Sequence, residues 1–220
     1  MLCDVSGIVL RQIKIAGGKR MIHLFSKEKG KISAVTNISE NSKSKSALSI
    51  RPFTHSMFHL DIKPSGLIYI RSAETINAHY KIGEDPDRYL ESSYVVEFTD
   101  KLLPEEMKSE KIFNLLVQCL TLMCNRKDNF KLITDSYMIK IFQLMGVFPD
   151  TNSFDDDELL STLNFDIFNT IVYLANSPLE RMEKLTLESG KTDAVFSVLK
   201  EFASLHLDIG RLKSDINLNC

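Results

Sequence analysis

The sequence predicts an α+β protein in which a small β-barrel comes first and an all-α helical bundle follows. In residues 1–80, short apolar runs alternate with polar positions at a period of two, and from about Lys81 the apolar period becomes 3.6. The charge changes at the same place: residues 1–80 hold 12 Lys/Arg against 5 Asp/Glu, and residues 81–220 hold 15 against 24. We therefore expect two domains with different partners, residues 1–80 and residues 81–220.

Five apolar runs in the first domain indicate antiparallel strands, which lie within residues 8–13, 21–25, 32–35, 57–62 and 67–70. Gly17-Gly18 predicts a two-residue hairpin link, because glycine takes positive φ without a Cβ clash. The second turn spans residues 26–31 and carries three lysines. Residues 36–51 are rich in Ser, Asn and Lys, which predicts a mobile loop. Five short strands fit a closed barrel of the OB type, and a small open sheet is the alternative.

The second domain shows repeated helix signals. Asp85-Pro86 is typical of an N-cap followed by proline at the first helical position, and opens a helix to about Leu103. Ser177-Pro178-Leu179-Glu180 is typical of a capping box. Further helices are predicted over residues 112–123, over 130–145 with a stop at Gly146, from the acidic run at 155–158, and over 192–206.

The basic residues of the first domain predict a nucleic-acid interface, because Lys and Arg neutralise phosphates without regard to sequence. Phe25, Phe53, Phe58 and Tyr69 are available to stack on bases, although phenylalanines on strands are more typical of a core. We expect single- and double-stranded DNA to bind through Arg11, Lys14, Lys19, Arg20, Lys27, Lys29, Lys31, Lys43, Lys45 and Arg51.

Nothing in the sequence indicates catalysis, a metal, a cofactor or a small-molecule substrate. The segment Gly17-Gly18-Lys19-Arg20 lacks both the first glycine and the Ser/Thr of a phosphate-binding loop. The carboxylates of residues 155–158 are consecutive, so on a helix they diverge, and they suit a helix N-terminus better than an ion. Four scattered cysteines, the lack of an apolar run long enough to cross a bilayer and the lack of a secretory signal predict a cytoplasmic protein.

Several segments in order resemble the RecO family of bacterial DNA repair and recombination-mediator proteins. They are GIVLRQIKI (residues 7–15), HLFSKEKGKISAV (23–35), LSIRPF (48–53), DKLLPEE (100–106), the helix 139–145 with the GVFP that follows it, and GRLKS (210–214). The resemblance implies a protein that anneals complementary strands and helps RecR load RecA onto DNA coated by single-strand-binding protein. It also implies a location in the cytoplasm, at the nucleoid.

In RecO-like proteins the helical domain contacts protein partners, including the acidic C-terminal tail of the single-strand-binding protein. A cation beside an apolar pocket would suit such a tail, and Arg126, Lys131 and Lys140 are the candidates; a solvated loop is the alternative. Family members often carry a four-cysteine zinc module after the segment that matches residues 146–149. Residues 150–154 contain no cysteine, which predicts a chain without that module.

Two other functions stay open on the sequence. One is an enzyme that acts on nucleic acid, against which the lack of converging carboxylates or histidines argues. The other is a protein-interaction adaptor whose basic barrel does not bind DNA.

Overall fold

A computed structural model describes residues 1–38, 45–150, 157–207, 209 and 212–214. The chain forms two compact units. The barrel unit comprises Met1–Tyr80 and Val96–Phe113, and the helical unit comprises Lys81–Val95 and Asn114–Cys220. Residues 96–113 thus belong to the barrel unit although the helical unit begins before them.

The barrel unit confirms the predicted five strands, and the sheet is a closed barrel rather than an open sheet. The strand order is β1-β2-β3-β5-β4, and all neighbours are antiparallel except β3 and β5. Apolar side chains from every strand fill the interior, among them Val9, Leu24 and Phe58. The strands are β1 (Leu2–Lys14), β2 (Arg20–Ser26), β3 (Gly30–Thr36), β4 (His55–Ile62) and β5 (Ile68–Asn77).

The closing seam between β3 and β5 is short, with Val35 paired to Tyr69. Beyond that pair, each strand finds another neighbour. On the β3 side, Lys31 forms a parallel bridge with Glu105, and the Glu106 N–H donates to the Lys31 carbonyl at 2.8 Å. On the β5 side, helix α1 (Lys45–Ser49) packs on the strand, and the Ser49 hydroxyl donates to the Ala73 carbonyl at 3.2 Å. These contacts protect strand edges that would otherwise be open to pairing.

Three local predictions in the barrel unit were wrong. The β1–β2 connection is a five-residue link around a short 3-10 turn rather than a two-residue link. Lys14 pairs with Arg20, and the Ile15 N–H donates to the Lys19 carbonyl. Gly17 and Gly18 do take positive φ, at 73° and 70°. Helix α1 lies within the expected loop 36–51, while residues 39–44 lie outside the described part of the chain. Lys31 is not on the turn but in β3.

Within the described residues, the helical unit is made largely of five helices, and α4 packs against α5 and α6. Helix α2 crosses from this unit into the barrel unit at residues 95–96. The helices are α2 (Pro86–Leu102), α3 (Glu110–Asn125), α4 (Phe130–Met145), α5 (Phe165–Asn176) and α6 (Ser189–His206).

The helix ends follow the sequence in part. The Asp85 carboxylate caps α2 by accepting from the Arg88 N–H at 2.9 Å, and Gly146 ends α4 at φ 72°. The fourth predicted helix begins later than expected. Asp157 caps a 3-10 turn at Leu160–Thr162 instead. Helix α5 starts only after Asn164, whose side chain accepts a hydrogen bond from the Ile167 N–H. The predicted capping box opens another 3-10 turn, Leu179–Glu183, with Pro178 at its N-cap.

Candidate nucleic-acid interface

Two of the ten predicted DNA-binding cations converge on one carboxylate in the barrel unit. The Arg11 guanidinium donates from Nε to Asp100 Oδ2 at 2.6 Å, and Lys31 Nζ lies 3.7 Å from Asp100 Oδ1. Lys31 also donates to the Asp100 backbone carbonyl at 2.6 Å and is only 9% exposed. Lys31 is therefore a buried ion-pair partner, whereas the Arg11 side chain remains 51% exposed.

The turn between β2 and β3 carries less free positive charge than the sequence suggests. Lys27 Nζ pairs with Glu110 Oε1 at 2.7 Å, and the hydrogen bond to Glu110 raises the pKa of Lys27. On the same turn, the Glu28 carboxylate accepts the Ser6 N–H at 2.9 Å. Within the described part of the chain, Lys29 has no ion-pair partner and is half-buried.

The β1–β2 end of the barrel presents three predicted cations close together. Lys14 stands directly opposite Arg20 in the register, and Lys19 immediately precedes Arg20. Arg20 is held by Gln12, whose Oε1 accepts from Nη1 at 3.3 Å. Lys14 and Lys19 are exposed, and neither forms an ion pair within the described part of the chain. This cluster has the open geometry that phosphate contacts need.

The remaining predicted cations give little further information. Arg51 is exposed, just beyond α1. Lys43 lies outside the described residues, and Lys45 begins α1.

A pocket of about 420 Å³ opens at the seam between β3 and β5. Next to it, Asp61 holds two cations that the site prediction missed: Lys63 at 2.8 Å and Arg71 at 2.9 Å. These two hydrogen bonds lower the pKa of Asp61 to about 2. Lys63 Nζ also lies over the Tyr69 ring, 5.9 Å from its centroid. The pocket is lined by Val35, Thr36, Asn37, Ile38, Tyr69, Ile70 and Arg71.

The sequence contained a signal for this second basic group. Lys63 begins the β4–β5 turn and Arg71 lies in β5 shortly after that turn; in an OB barrel this turn and the β1–β2 turn are the usual ligand-contacting loops. Of the four aromatic candidates for stacking, Phe25 and Phe58 are fully buried, which confirms their interpretation as core. Tyr69 lines the pocket and is half-buried.

The predicted partner-binding residues of the helical unit are held by their own chain. Arg126 is buried, and its guanidinium donates to the backbone carbonyls of Met182, Leu185 and Asp128. These bonds and its burial show that Arg126 is not part of a solvated loop. Lys140 Nζ donates to the Ala175 carbonyl at 2.5 Å, and burial lowers its pKa.

Lys131 lies at a pocket of about 410 Å³ in the helical unit, paired with Asp193 at 2.5 Å. The pocket is mainly acidic, which disfavours binding of the acidic tail that was predicted to contact Lys131. Its charged lining consists of Asp85, Asp87, Glu91, Lys127, Asp128, Lys131 and Asp193.

The described residues offer no metal-binding group of three or more His, Cys, Asp or Glu side chains. Of the acidic run at 155–158, Asp157 caps a turn and lies 3.1 Å from His206 Nε2, while residues 155 and 156 lie outside the described part. Among the helices that the structure describes, none has both the length and the apolar character that crossing a membrane needs.

Comparison with known proteins gives matches across most of the chain. The family model for the recombination protein O N terminal matches residues 1–79, and the model for the recombination protein O C terminal matches residues 83–153. A DNA repair protein RecO of Alkaliphilus metalliredigens is 24% identical over 94% of this chain and 95% of its own length. The RecO of Thermoanaerobacter sp. is 29% identical over 69% of this chain. The RecO of Bacillus cereus strain B4264 is 30% identical over 68% of this chain. The aligned parts cover 61% and 59% of those two relatives.

Proposed function

Because this chain belongs to the recombination protein O (RecO) family of DNA repair proteins, we propose that it is a recombination mediator that binds single- and double-stranded DNA through its barrel unit. In this proposal it anneals complementary strands and, with RecR, helps RecA to load onto DNA coated by single-strand-binding protein. Its work is binding rather than covalent chemistry, and it takes place on the chromosome in the cytoplasm.

The observation that carries the proposal is that two groups of basic residues lie on either side of the paired residues Val35 and Tyr69. Arg20 stands opposite Thr36 at the end of β3, and Val35 stands opposite Tyr69 at the start of β5. Because β5 runs parallel to β3, the β4–β5 turn with Lys63 lies on one side of the Val35–Tyr69 pair, and the β1–β2 link with Lys14 and Lys19 lies beyond Thr36 on the other side. Exposed cations on both sides of this pair attract phosphates and release counterions, which favours both strand forms and any sequence.

The helical unit supplies the protein-binding part of the proposal. RecR and the tail of single-strand-binding protein are its expected partners, by family membership alone. The guanidinium donors of Arg126 are used inside the unit, which favours Lys131 and Lys140 over Arg126 as contacts. Lys131 and Lys140 keep some exposure and stay candidates, each already engaged by an internal acceptor.

Fluorescence anisotropy of labelled single-stranded DNA over a salt series tests the proposal. We expect log Kd to rise steeply with log salt for the wild type, and the slope to fall by about one unit for each phosphate contact removed. In the double variant Lys14→Ala/Lys19→Ala the slope should therefore fall by roughly two units. The matched control is Lys127→Ala/Lys184→Ala, which removes two exposed lysines of the helical unit and should leave the slope unchanged.

Absence of binding at low salt would contradict the proposal for this chain. Retention of RecR or single-strand-binding protein in a pull-down under those conditions would then favour the adaptor function. If the slope of log Kd against log salt falls in both double variants, the phosphate contacts are not confined to the barrel unit.

A further inference from the structure

We propose that the pocket at the β3–β5 seam receives one unpaired base of a bound strand, stacked on Tyr69, with the adjoining phosphate between Lys63 and Arg71. The inference rests on the proposed function and adds a contact that only an unpaired base can make. The ligand is thus a single-stranded segment of nucleic acid.

Much of the barrel's outer face is already covered. An OB barrel usually binds its ligand across strands β2 and β3. Here the Phe25 ring lies 5.9 Å from that of Phe113, and Asp100 binds both Arg11 and Lys31 on the same side of the sheet. Residues 96–113 therefore fill the half of this face nearest the β2–β3 turn, and a strand must use the other half.

The open half of the outer face leads to the β3–β5 seam. The register places Ile13 opposite Met21, Met21 opposite Val35 and Val35 opposite Tyr69, so these four side chains share the outer face. None of them is fully buried. They form an apolar strip that ends at an aromatic ring, which is what a base needs for stacking.

Positive charge lies beside the Tyr69 ring. Asp61 is 8% exposed, while the Lys63 and Arg71 side chains that it fixes are 47% and 60% exposed. One carboxylate between two cations leaves a net positive charge, and the hydrogen bonds orient both cations before a ligand arrives. Because Arg offers five donors in a planar fork, Arg71 can bind Asp61 with one nitrogen and a phosphate with others.

The size and lining of the pocket agree with a base. Its volume of about 420 Å³ is within the range of small-molecule sites. The exposed Asn37 amide lies at its edge and can donate to or accept from a base edge. Stacking tolerates every base, so the pocket adds affinity for single strands without adding strong sequence preference.

Binding of a labelled single strand and of the hairpin-closed duplex of the same sequence tests the inference. Tyr69→Leu keeps an apolar side chain but removes the ring, and should weaken single-strand binding roughly fivefold to 100-fold, with duplex binding unchanged. Tyr69→Phe should bind both forms as the wild type does. Tyr80→Leu, which changes an exposed tyrosine outside the pocket, should do the same. The fluorescence of a strand that carries 2-aminopurine should be quenched on binding to the wild type and to Tyr69→Phe, but not on binding to Tyr69→Leu.

The outcomes separate this inference from the proposed function. If the wild type binds neither form of DNA, both fall. If the wild type binds DNA and Tyr69→Leu binds the single strand equally well, the base pocket is wrong and the DNA-binding function stands. The same conclusion follows if Tyr69→Leu weakens binding of the single strand and of the duplex equally. Displacement of the strand by a free mononucleotide at micromolar concentration would overturn the strand assignment in favour of a nucleotide site.

A second variant keeps the inference testable if Tyr69→Leu does not fold. Arg71→Gln alters an exposed side chain and should lower the salt slope of single-strand binding by about one unit. An unchanged slope would overturn the phosphate contact between Lys63 and Arg71.

Discussion

The Asp100 carboxylate lies between two cations that come from different strands of the barrel unit. Arg11 reaches it from β1 and Lys31 from β3, at 2.6 Å and 3.7 Å. Arg11 is half-exposed and Lys31 is buried, so the two pairs differ in their contribution to stability. An exposed pair contributes little, whereas breaking a buried pair leaves a charge without compensation.

Replacing Lys31 by alanine should therefore lower the free energy of unfolding by about 2–3 kcal/mol. Asp100 would keep only the half-exposed Arg11 as its partner, and its backbone carbonyl would lose the Lys31 donor. Urea unfolding measures the change. Lys29→Ala is the control, because this lysine two positions away has no ion pair among the described residues and should change stability by less than about 0.5 kcal/mol. Equal effects of the two changes would mean that the buried pair does not stabilise the unit.

Asp135 is a second buried carboxylate, in α4 of the helical unit, and it has no such partner. Neither of its carboxyl oxygens has a hydrogen bond among the described residues. Burial, and after it the nearby Glu91 charge, raises its pKa well above 3.8; Lys131 opposes this shift and Asp193 adds to it. The folded chain therefore holds a proton here at a pH where the unfolded chain has released it.

This sign predicts that the Asp135 contribution to stability is fully present below pH 3.8 and is lost as the pH rises from there through the raised folded-state pKa. Asp135→Asn cannot ionise, so its free energy of unfolding should exceed that of the wild type by about 1–2 kcal/mol at pH 8 and by close to zero at pH 4. Urea unfolding at several pH values gives the difference. Glu201→Gln, at an exposed carboxylate of α6, should follow the wild type at every pH. A constant difference between wild type and Asp135→Asn would show that the carboxyl group does not titrate on unfolding.

At the scale of elements, the contact of β3 with residues 105–107 completes the barrel edge next to the seam. Gly30, the first residue of β3, has φ +72°, and a Cβ there would overlap the Met107 carbonyl. The close approach brings the Glu106 N–H to the Lys31 carbonyl. A glycine is therefore needed at this position both for its backbone conformation and for space.

Gly30→Ala should lower the free energy of unfolding by about 3 kcal/mol or more, since it adds a backbone overlap to the strain of positive φ. Gly66→Ala isolates the strain, because Gly66 has φ +83° with no atom near its Cβ position, and should cost about 1–2 kcal/mol. Thermal or urea unfolding of both variants gives the comparison. If Gly30→Ala costs no more than Gly66→Ala, residues 105–107 do not lie against this strand.

At the scale of the whole molecule, the periodicity of the sequence was enough to predict the fold class, the five strands and helices α2, α3, α4 and α6. These elements are set by local patterns of apolar residues. The partners of individual charged side chains come from distant parts of the chain. Lys31 binds Asp100, 69 residues away, and Arg126 donates to the Met182 carbonyl, 56 residues away. No local pattern contains that information, so charge composition overstated the free cations of the barrel. The same composition contained Lys63 and Arg71, whose proximity to Tyr69 only the strand register reveals.

The charge asymmetry also becomes smaller when it is counted by unit. Residues 96–113 add 3 Lys/Arg and 5 Asp/Glu to the barrel unit, which then holds 15 basic and 10 acidic residues against 12 and 19 in the helical unit. The barrel unit keeps a positive net charge.

The position of residues 96–113 in the chain has a consequence for protein synthesis. A ribosome releases residues 1–80 first, and at that moment Phe25 and Lys31 lack the partners Phe113 and Asp100. The barrel unit can be completed only after residue 113 has left the exit tunnel, by which time residues 81–95 of the helical unit have also emerged. Until then, the nascent chain exposes an aromatic ring and an open β3 edge, the features that chaperones bind and that lead to aggregation.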